Sequence, residues 1–250
     1  MVELLPLIDT KNQAVWRLWA ELMPLLAVII VTIIFWMIEK KQVELKLFKN
    51  PGVGIKVGVI GGISWLGSVL IIMSVIGVIR FEGRNDLSML SIWLLASTLN
   101  VIMQELLVRG YLYQMIKQKH NIVAATIATT MLFTAFHGGA FEAGIIAVLN
   151  VITMSILMSI VLEYTESIIA LIMMHGIWNG LGGIVFGVLS LAGDYPHLLK
   201  MAFSGNNILS GGPYKIEGSI VVLFINIFMI CLFLFFQKRK TRFQNLATVD

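Results

Sequence analysis

Stretches of roughly twenty apolar residues follow one another along this chain, and nothing else about it constrains the fold as strongly. A hydrocarbon core about 30 Å thick is crossed by a helix of that length. Seven such segments can be drawn, at about 19 to 38, 57 to 79, 88 to 116, 121 to 138, 143 to 162, 167 to 192 and 218 to 236, with six and eight as the neighbouring counts. The 250 residues are 58% hydrophobic and only 13% charged, at a mean hydropathy of +0.90, so water cannot be the main solvent. The expected fold class is all-α, a polytopic transmembrane helical bundle forming a single integral membrane domain over residues 1–250. Met1 to Lys11 carries Glu3 and Asp9 and lacks the basic start and small-residue cleavage site of a removable signal, so the first helix is expected to stay.

Charge placement supports the same reading. The basic residues flank apolar runs, which suits anionic lipid headgroups and gives no sign of nucleic-acid binding. With the N-terminus outside, Lys40, Lys41, Lys46, Lys49, Lys56, Lys117, Lys119, Lys238, Arg239, Lys240 and Arg242 fall inside. Lys11, Arg17, Arg80, Arg84, Lys200 and Lys215 fall outside, a bias the positive-inside rule accepts. The C-terminus is therefore expected in the cytoplasm, and the membrane is expected to be a bacterial plasma membrane. Residues 193–217, rich in Gly, Pro, Asn and Asp, read as an extracytoplasmic loop. Gly61, Gly62, Gly180, Gly182, Gly183 and Gly187 lie within spans, where small residues allow helices to approach closely. The single cysteine, Cys231, cannot form an intrachain disulfide and reads as a lipid-facing or packing residue.

Polar residues inside the spans carry the functional information. A charged side chain at mid-bilayer costs about 2.5–3.5 kcal/mol on insertion scales, so each one needs a partner, a wet cavity or a role. Glu105 and Arg109 are four residues apart on one helical face and can pair, either as a structural ion pair or as part of a site. Gln104 points about 100° around the helix from Glu105 and addresses different neighbours. Its amide has no useful proton affinity and cannot act as a general base. His137 ends the fourth segment, and His175 and Asn179 share a face of the sixth. At 1.5 Å per residue, Glu105 lies roughly 18 Å in from Lys117, His137 roughly 24 Å in from Asn121 and His175 roughly 12 Å in from Ser167. Helix tilts of about 20° leave room for a shared site.

Gln104-Glu105-Leu106-Leu107-Val108-Arg109-Gly110-Tyr111, then Phe133 to His137, then His175 to Asn179, resembles the ordered motifs of the CPBP family. That family includes CAAX prenyl endopeptidases and bacteriocin-processing enzymes, and the resemblance covers roughly residues 88–190. Its pattern is Glu-Glu-x-x-x-Arg, Phe-x-x-x-His and His-x-x-x-Asn or Asp. The resemblance implies an intramembrane endopeptidase acting on hydrophobic or lipidated peptides, such as CAAX-type tails and bacteriocin or signalling precursors. It also implies that Gln104 and His137 occupy the water-activating positions and that His175 and Asn179 face the oxyanion. Glu105 and Arg109 then fill the remaining motif positions.

Gln104 stands where the family keeps its first glutamate. Either Glu105 has assumed the base role, or the chain is a catalytically silent relative that binds peptides as an immunity or regulatory protein, or the glutamine is an engineered substitution. Members are often called metalloproteases, although a metal-free mechanism is also argued for them. Zinc commonly takes three protein ligands, and Glu105, His137 and His175 could nominally supply them, but no His-Glu-x-x-His helix supports a metal. The metal question stays open at this point, leaning against. A transporter is a further class, but the chain lacks paired Pro-interrupted spans in two symmetric halves.

Overall fold

The computed structural model describes residues 12–45 and 49–247, with side chains described as far as residue 242. The expectations placed on residues 1–11, including Glu3, Asp9 and Lys11, and on Lys46 lie outside the described residues. Each of the seven apolar segments contains a helix. These are α1 (Gln13–Ile38), α2 (Pro51–Val75), α3 (Leu90–Lys119), α4 (Ile122–Phe136), α6 (Ile145–Thr165), α7 (Ile168–Val185) and α9 (Ile220–Ala247), with short helices α5 (Gly138–Ala143) and α8 (Asn207–Ser210) between them. Among the described residues, six helices are long and apolar enough to cross a membrane, while α4 has 15 residues. The protein is a polytopic helical membrane bundle.

Local chemistry sets several helix ends. Asn12 caps α1 by accepting from Ala14 N at 3.0 Å, and Asn121 caps α4 by accepting from Ala124 N at 2.9 Å. Pro51 starts α2 at a position whose N–H would be unsatisfied anyway. The second apolar run extends to residue 79, yet α2 stops at Val75. Gly77, at φ +74°, turns the chain and Ile79 begins a strand. That strand, β1 (Ile79–Arg84), pairs antiparallel with β2 (Leu199–Phe203), Ile79 opposite Phe203 and Arg84 opposite Leu199. Composition gave no expectation of this ribbon in an all-helical chain. It lies partly in the stretch read as a loop, which also holds α8 and a turn of 3₁₀ helix at Gly212–Gly218.

The opposite end of the bundle is fastened by ion pairs, Lys117 to Glu163 at 2.6 Å and Lys119 to Glu39 at 2.8 Å. In the interior, the stacked rings of Trp65 and Trp178, 4.0 Å apart, join α2 to α7. Trp65 Nε1 donates to Asn226 Oδ1 at 2.8 Å, and Asn226 Nδ2 donates to Thr153 Oγ1 at 2.9 Å, so α2, α6 and α9 share one buried polar link. Ile30, Ile33 and Met37 of α1 and Phe224, Phe228 and Cys231 of α9 are exposed, forming faces suited to lipid.

The close contact of α2 with α7 depends on residues without side chains. Gly54, Gly58, Gly61 and Gly62 line the face of α2 that meets α7. A Cβ on Gly58 would stand 2.6 Å from Met173 Cβ and 2.7 Å from the Ala170 carbonyl oxygen. No neighbour can yield there, because the obstruction includes backbone. Gly58→Ala should therefore lower stability by about 1–3 kcal/mol through overpacking. Gly67→Ala, on the same helix with nothing within 4 Å of the added carbon, should be neutral or stabilising. Thermal unfolding of the two variants in detergent checks the contrast.

Candidate active site

Glu105 is the last residue of the first α-helical stretch of α3, and from Leu106 to Leu112 the rod widens into a π-helical turn that contains Arg109. In α7, His175 stands three residues before a second π stretch, Trp178–Val185, which contains Asn179. Wide turns of this kind occur frequently at functional sites. Both are placed where the sequence motifs fall.

Glu105 is fully buried, and its charge is met from two helices. Arg109 Nη1 donates to it at 3.1 and 3.3 Å, and His175 Nδ1 lies 2.8 Å from Glu105 Oε1. A carboxylate has no proton to give, so Nδ1 of His175 carries the hydrogen and Nε2 is the ring's remaining functional atom. Arg109 in turn donates through Nη2 to Ser155 Oγ at 2.6 Å and to the Ser155 carbonyl at 3.2 Å. Ser155 Oγ donates to Thr130 Oγ1 at 3.0 Å. One carboxylate thus ties α3 to α7, and its arginine ties α3 to α6 and α4.

Phe133 joins this cluster to the second histidine. The Arg109 guanidinium lies 4.5 Å from its ring centroid, the His175 ring meets it edge-on at 6.1 Å, and the His137 ring lies over it at 4.3 Å. His137 Nδ1 is 2.7 Å from the Phe133 carbonyl oxygen, which can only accept, so here too Nδ1 is the donor and Nε2 is free. Glu105, Arg109 and His175 are within electrostatic reach of His137. The two imidazoles therefore flank one aromatic ring. Asn179 is half-buried in the wide turn after His175.

Gln104 faces elsewhere, as its angular offset from Glu105 requires. Its Nε2 donates to Asn100 Oδ1 at 2.6 Å, and Asn100 Nδ2 donates to Glu21 Oε2 at 2.7 Å. Glu21, buried in α1, is paired with Arg17 at 2.6 Å and accepts from the Tyr195 hydroxyl at 3.3 Å, while Arg17 also reaches Asp194 at 3.0 Å. Burial first, and then the charge of Glu21, push the Tyr195 phenol above its ordinary range, so it remains an O–H donor. Sequence reasoning missed this second polar network. Its signal was present: an acid inside the first apolar segment, four residues after Arg17.

The donor set does not suit a metal. Glu105 Oε1 is taken by His175, and Arg109 holds the carboxylate from its other side. Among the described residues, no three of His, Cys, Asp and Glu come together as a ligating group. A groove of about 490 Å³ runs between α4, α5 and α6, lined by Thr130, Thr134, Met131, Phe141 and Val148 among others. Thr130 belongs both to this groove and to the hydrogen-bond chain of Arg109.

The fold and this cluster define an integral membrane protein with a polar centre buried among its helices. A family model described as type II CAAX prenyl endopeptidase Rce1-like matches residues 86–181, a stretch that holds all three motifs. The matched segment, less than half of the chain, is thus similar to the CAAX-type membrane proteases that the model describes. No curated protein and no solved structure matches the chain.

Removing one member of the buried pair tests how the centre is held. Arg109→Met leaves a buried carboxylate without its guanidinium and should lower stability by about 3–5 kcal/mol. Glu105→Leu combined with Arg109→Met removes both charges and should recover much of that loss. Thermal midpoints in detergent read both, and a single variant as stable as the parent would show that Glu105 is not held as described.

Proposed function

We propose that this chain is an intramembrane endopeptidase that hydrolyses apolar or lipidated peptides, such as CAAX-type tails and bacteriocin or signalling precursors. The observation that carries the proposal is the hydrogen bond between Glu105 and His175 at 2.8 Å, with His137 tilted over the Phe133 ring that His175 also meets. Hydrolysis in a lipid interior needs a base for water, donors for the oxyanion and an acid for the leaving amine.

Roles follow from the partners. The Nδ1–H of His137 is directed at a neutral carbonyl, which suits a neutral ring whose Nε2 takes the proton from water. The Nδ1–H of His175 is directed at the Glu105 carboxylate, which fixes the ring's orientation, and its Nε2 edge and the Asn179 amide are the groups assigned to the oxyanion. The water oxygen attacks the carbonyl carbon, its proton goes to His137 Nε2, and the carbonyl electron pair moves onto oxygen. When the tetrahedral intermediate collapses, the C–N bond breaks and the amine nitrogen takes the proton from His137. Glu105, engaged by Arg109 and His175, is the residue that holds His175, not the base. The apolar part of the peptide occupies the groove between α4 and α6, and the C-terminal tail lies on the cytoplasmic side.

A second reading rests on Gln104. With an amide in the family's first glutamate position, the same pocket serves to bind a peptide without cleaving it, as an immunity or regulatory protein does. Incubating the purified protein with a prenylated or apolar peptide and following fragments by mass spectrometry decides between them. Under the first reading a defined fragment appears, and His137→Ala and His175→Ala each lower kcat by about 10²-fold or more. Undiminished cleavage in both variants would remove the proposed site. Binding without any fragment, unchanged in Gln104→Glu, would establish the second reading.

A further inference from the structure

We propose that Thr130 and Thr134 hold the substrate by its backbone: their hydroxyls, one helical turn apart in the groove between α4 and α6, donate to alternate carbonyl oxygens of an extended peptide segment. The inference rests on the assignment of that groove to the substrate, and adds that the part held there is peptide and not the hydrocarbon chain of a lipidated one.

The hydroxyl of Thr130 is set by a charge three groups away. Arg109 Nη2 donates to Ser155 Oγ at 2.6 Å, and Ser155 gives its one hydrogen to Thr130 Oγ1 at 3.0 Å. Thr130 Oγ1 is thereby an acceptor toward α6, and its own hydrogen is left to give. A helical threonine often gives that hydrogen to the carbonyl one turn back, as Thr129 does to Ala125 and Thr153 to Leu149, both at 2.7 Å. Among the described residues, neither Thr130 nor Thr134 makes such a bond. Thr134 Oγ1 is a buried atom without a hydrogen-bond partner in the protein. Both residues line the groove, and both are more than nine-tenths buried. A hydroxyl left unpaired among apolar side chains is costly until an acceptor answers it.

The spacing of the two hydroxyls selects the ligand. Four residues of α-helix rise about 6 Å. In an extended peptide every second carbonyl points to the same edge, at a repeat of about 6.6 Å. Two donors on one face of α4 thus match the carbonyls of residues two apart in a strand lying along the helix. A prenyl or acyl chain has no acceptor along its length to meet them. The remaining lining, Ile127, Met131, Phe141, Val148 and Ile152 among others, is apolar and suits apolar side chains. Ile127, Met131 and Phe141 are exposed, so the groove opens on a face suited to lipid, the side from which an apolar peptide arrives. Phe133 and His137 stand on the neighbouring face of the same helix, about 100° around, so a backbone held at Thr134 lies within one turn of His137 along α4.

Equilibrium binding of a fluorescein-labelled prenylated peptide of apolar sequence to the purified full chain in detergent tests this without requiring cleavage. In a series of such peptides one amide at a time is replaced by an E-alkene, which removes one carbonyl. Two of the series, with replacements two residues apart, should bind about three- to ten-fold more weakly than the unmodified peptide. Thr134→Val keeps the shape of the side chain and removes its hydroxyl. It should weaken the unmodified peptide by a similar factor and be indifferent to one of the two replacements, and Thr130→Val should be indifferent to the other. Thr134→Ser should retain both the affinity and the sensitivity. A peptide that does not bind, a series without such a pair, or a Thr134→Val protein as sensitive to both replacements as the parent would each overturn the proposal. Affinity set by the prenyl chain alone, with every alkene peptide binding equally, would overturn it in favour of lipid in the groove. Absence of cleavage, with the affinities as described, would instead locate the failure in the hydrolytic reading.

Discussion

A negative charge at Glu105, with no water to solvate it, is the constraint around which the interior is organised. The carboxylate is satisfied only if Arg109 and His175 are both in reach, and Arg109 only if Ser155 takes its second nitrogen. Ser155 then leans on Thr130. Four helices, α3, α4, α6 and α7, are in this way held to one arrangement by a single group that lipid does not tolerate alone. The glycine face of α2 supports the same arrangement from outside, because α7 can lie where His175 meets Glu105 only if α2 lets it approach. Apolar packing supplies much of the attraction in such a bundle, and the buried charge selects among the packings that attraction would permit.

Two neighbouring residues of α3 belong to separate polar systems. Glu105 looks toward α7 and Gln104 toward α1, as a 100° step demands. The carboxylate is used to hold an imidazole, and the amide is joined to a carboxylate on another helix. Arg17 and Tyr195 extend that second system to Asp194, in the segment between α7 and β2. Gln104 is therefore connected by unbroken polar contacts, through Asn100, Glu21 and Arg17, to Asp194 near the end of the bundle that bears the ribbon.

Most of the fold was legible because its physics is local. Twenty apolar residues in a row make a helix in lipid whatever surrounds them, and all seven runs contain one. The pairing of Glu105 with Arg109 was legible for the same reason, since a spacing of four fixes it within one helix. The link from His175 to Glu105 needed two helices, and sequence arithmetic along their axes allowed it without requiring it. The β1–β2 ribbon was illegible because Ile79 continues an apolar run. Only a left-handed glycine at 77, read together with a partner strand at Leu199–Phe203, separates it from the helix. Glu21 was visible as an acid in an apolar segment, but Arg17 looked like an ordinary flanking base, so the pair and its reach to Asn100 went unread.

The π stretch at Leu106–Leu112 gives the long rod of α3 a built-in phase shift. Residues on either side of it belong to two different helical registers: Glu105 and Gln104 in the first, Lys117 and its bond to Glu163 in the second. A regular α-helix of the same sequence would carry the second register around the axis by a large fraction of a turn. The rod could then satisfy its mid-membrane acid or its terminal lysine, but not both at once. The irregular turn is accordingly the joint that lets one continuous helix answer to two sets of neighbours, and its length in residues is as much a part of the site as any side chain in it.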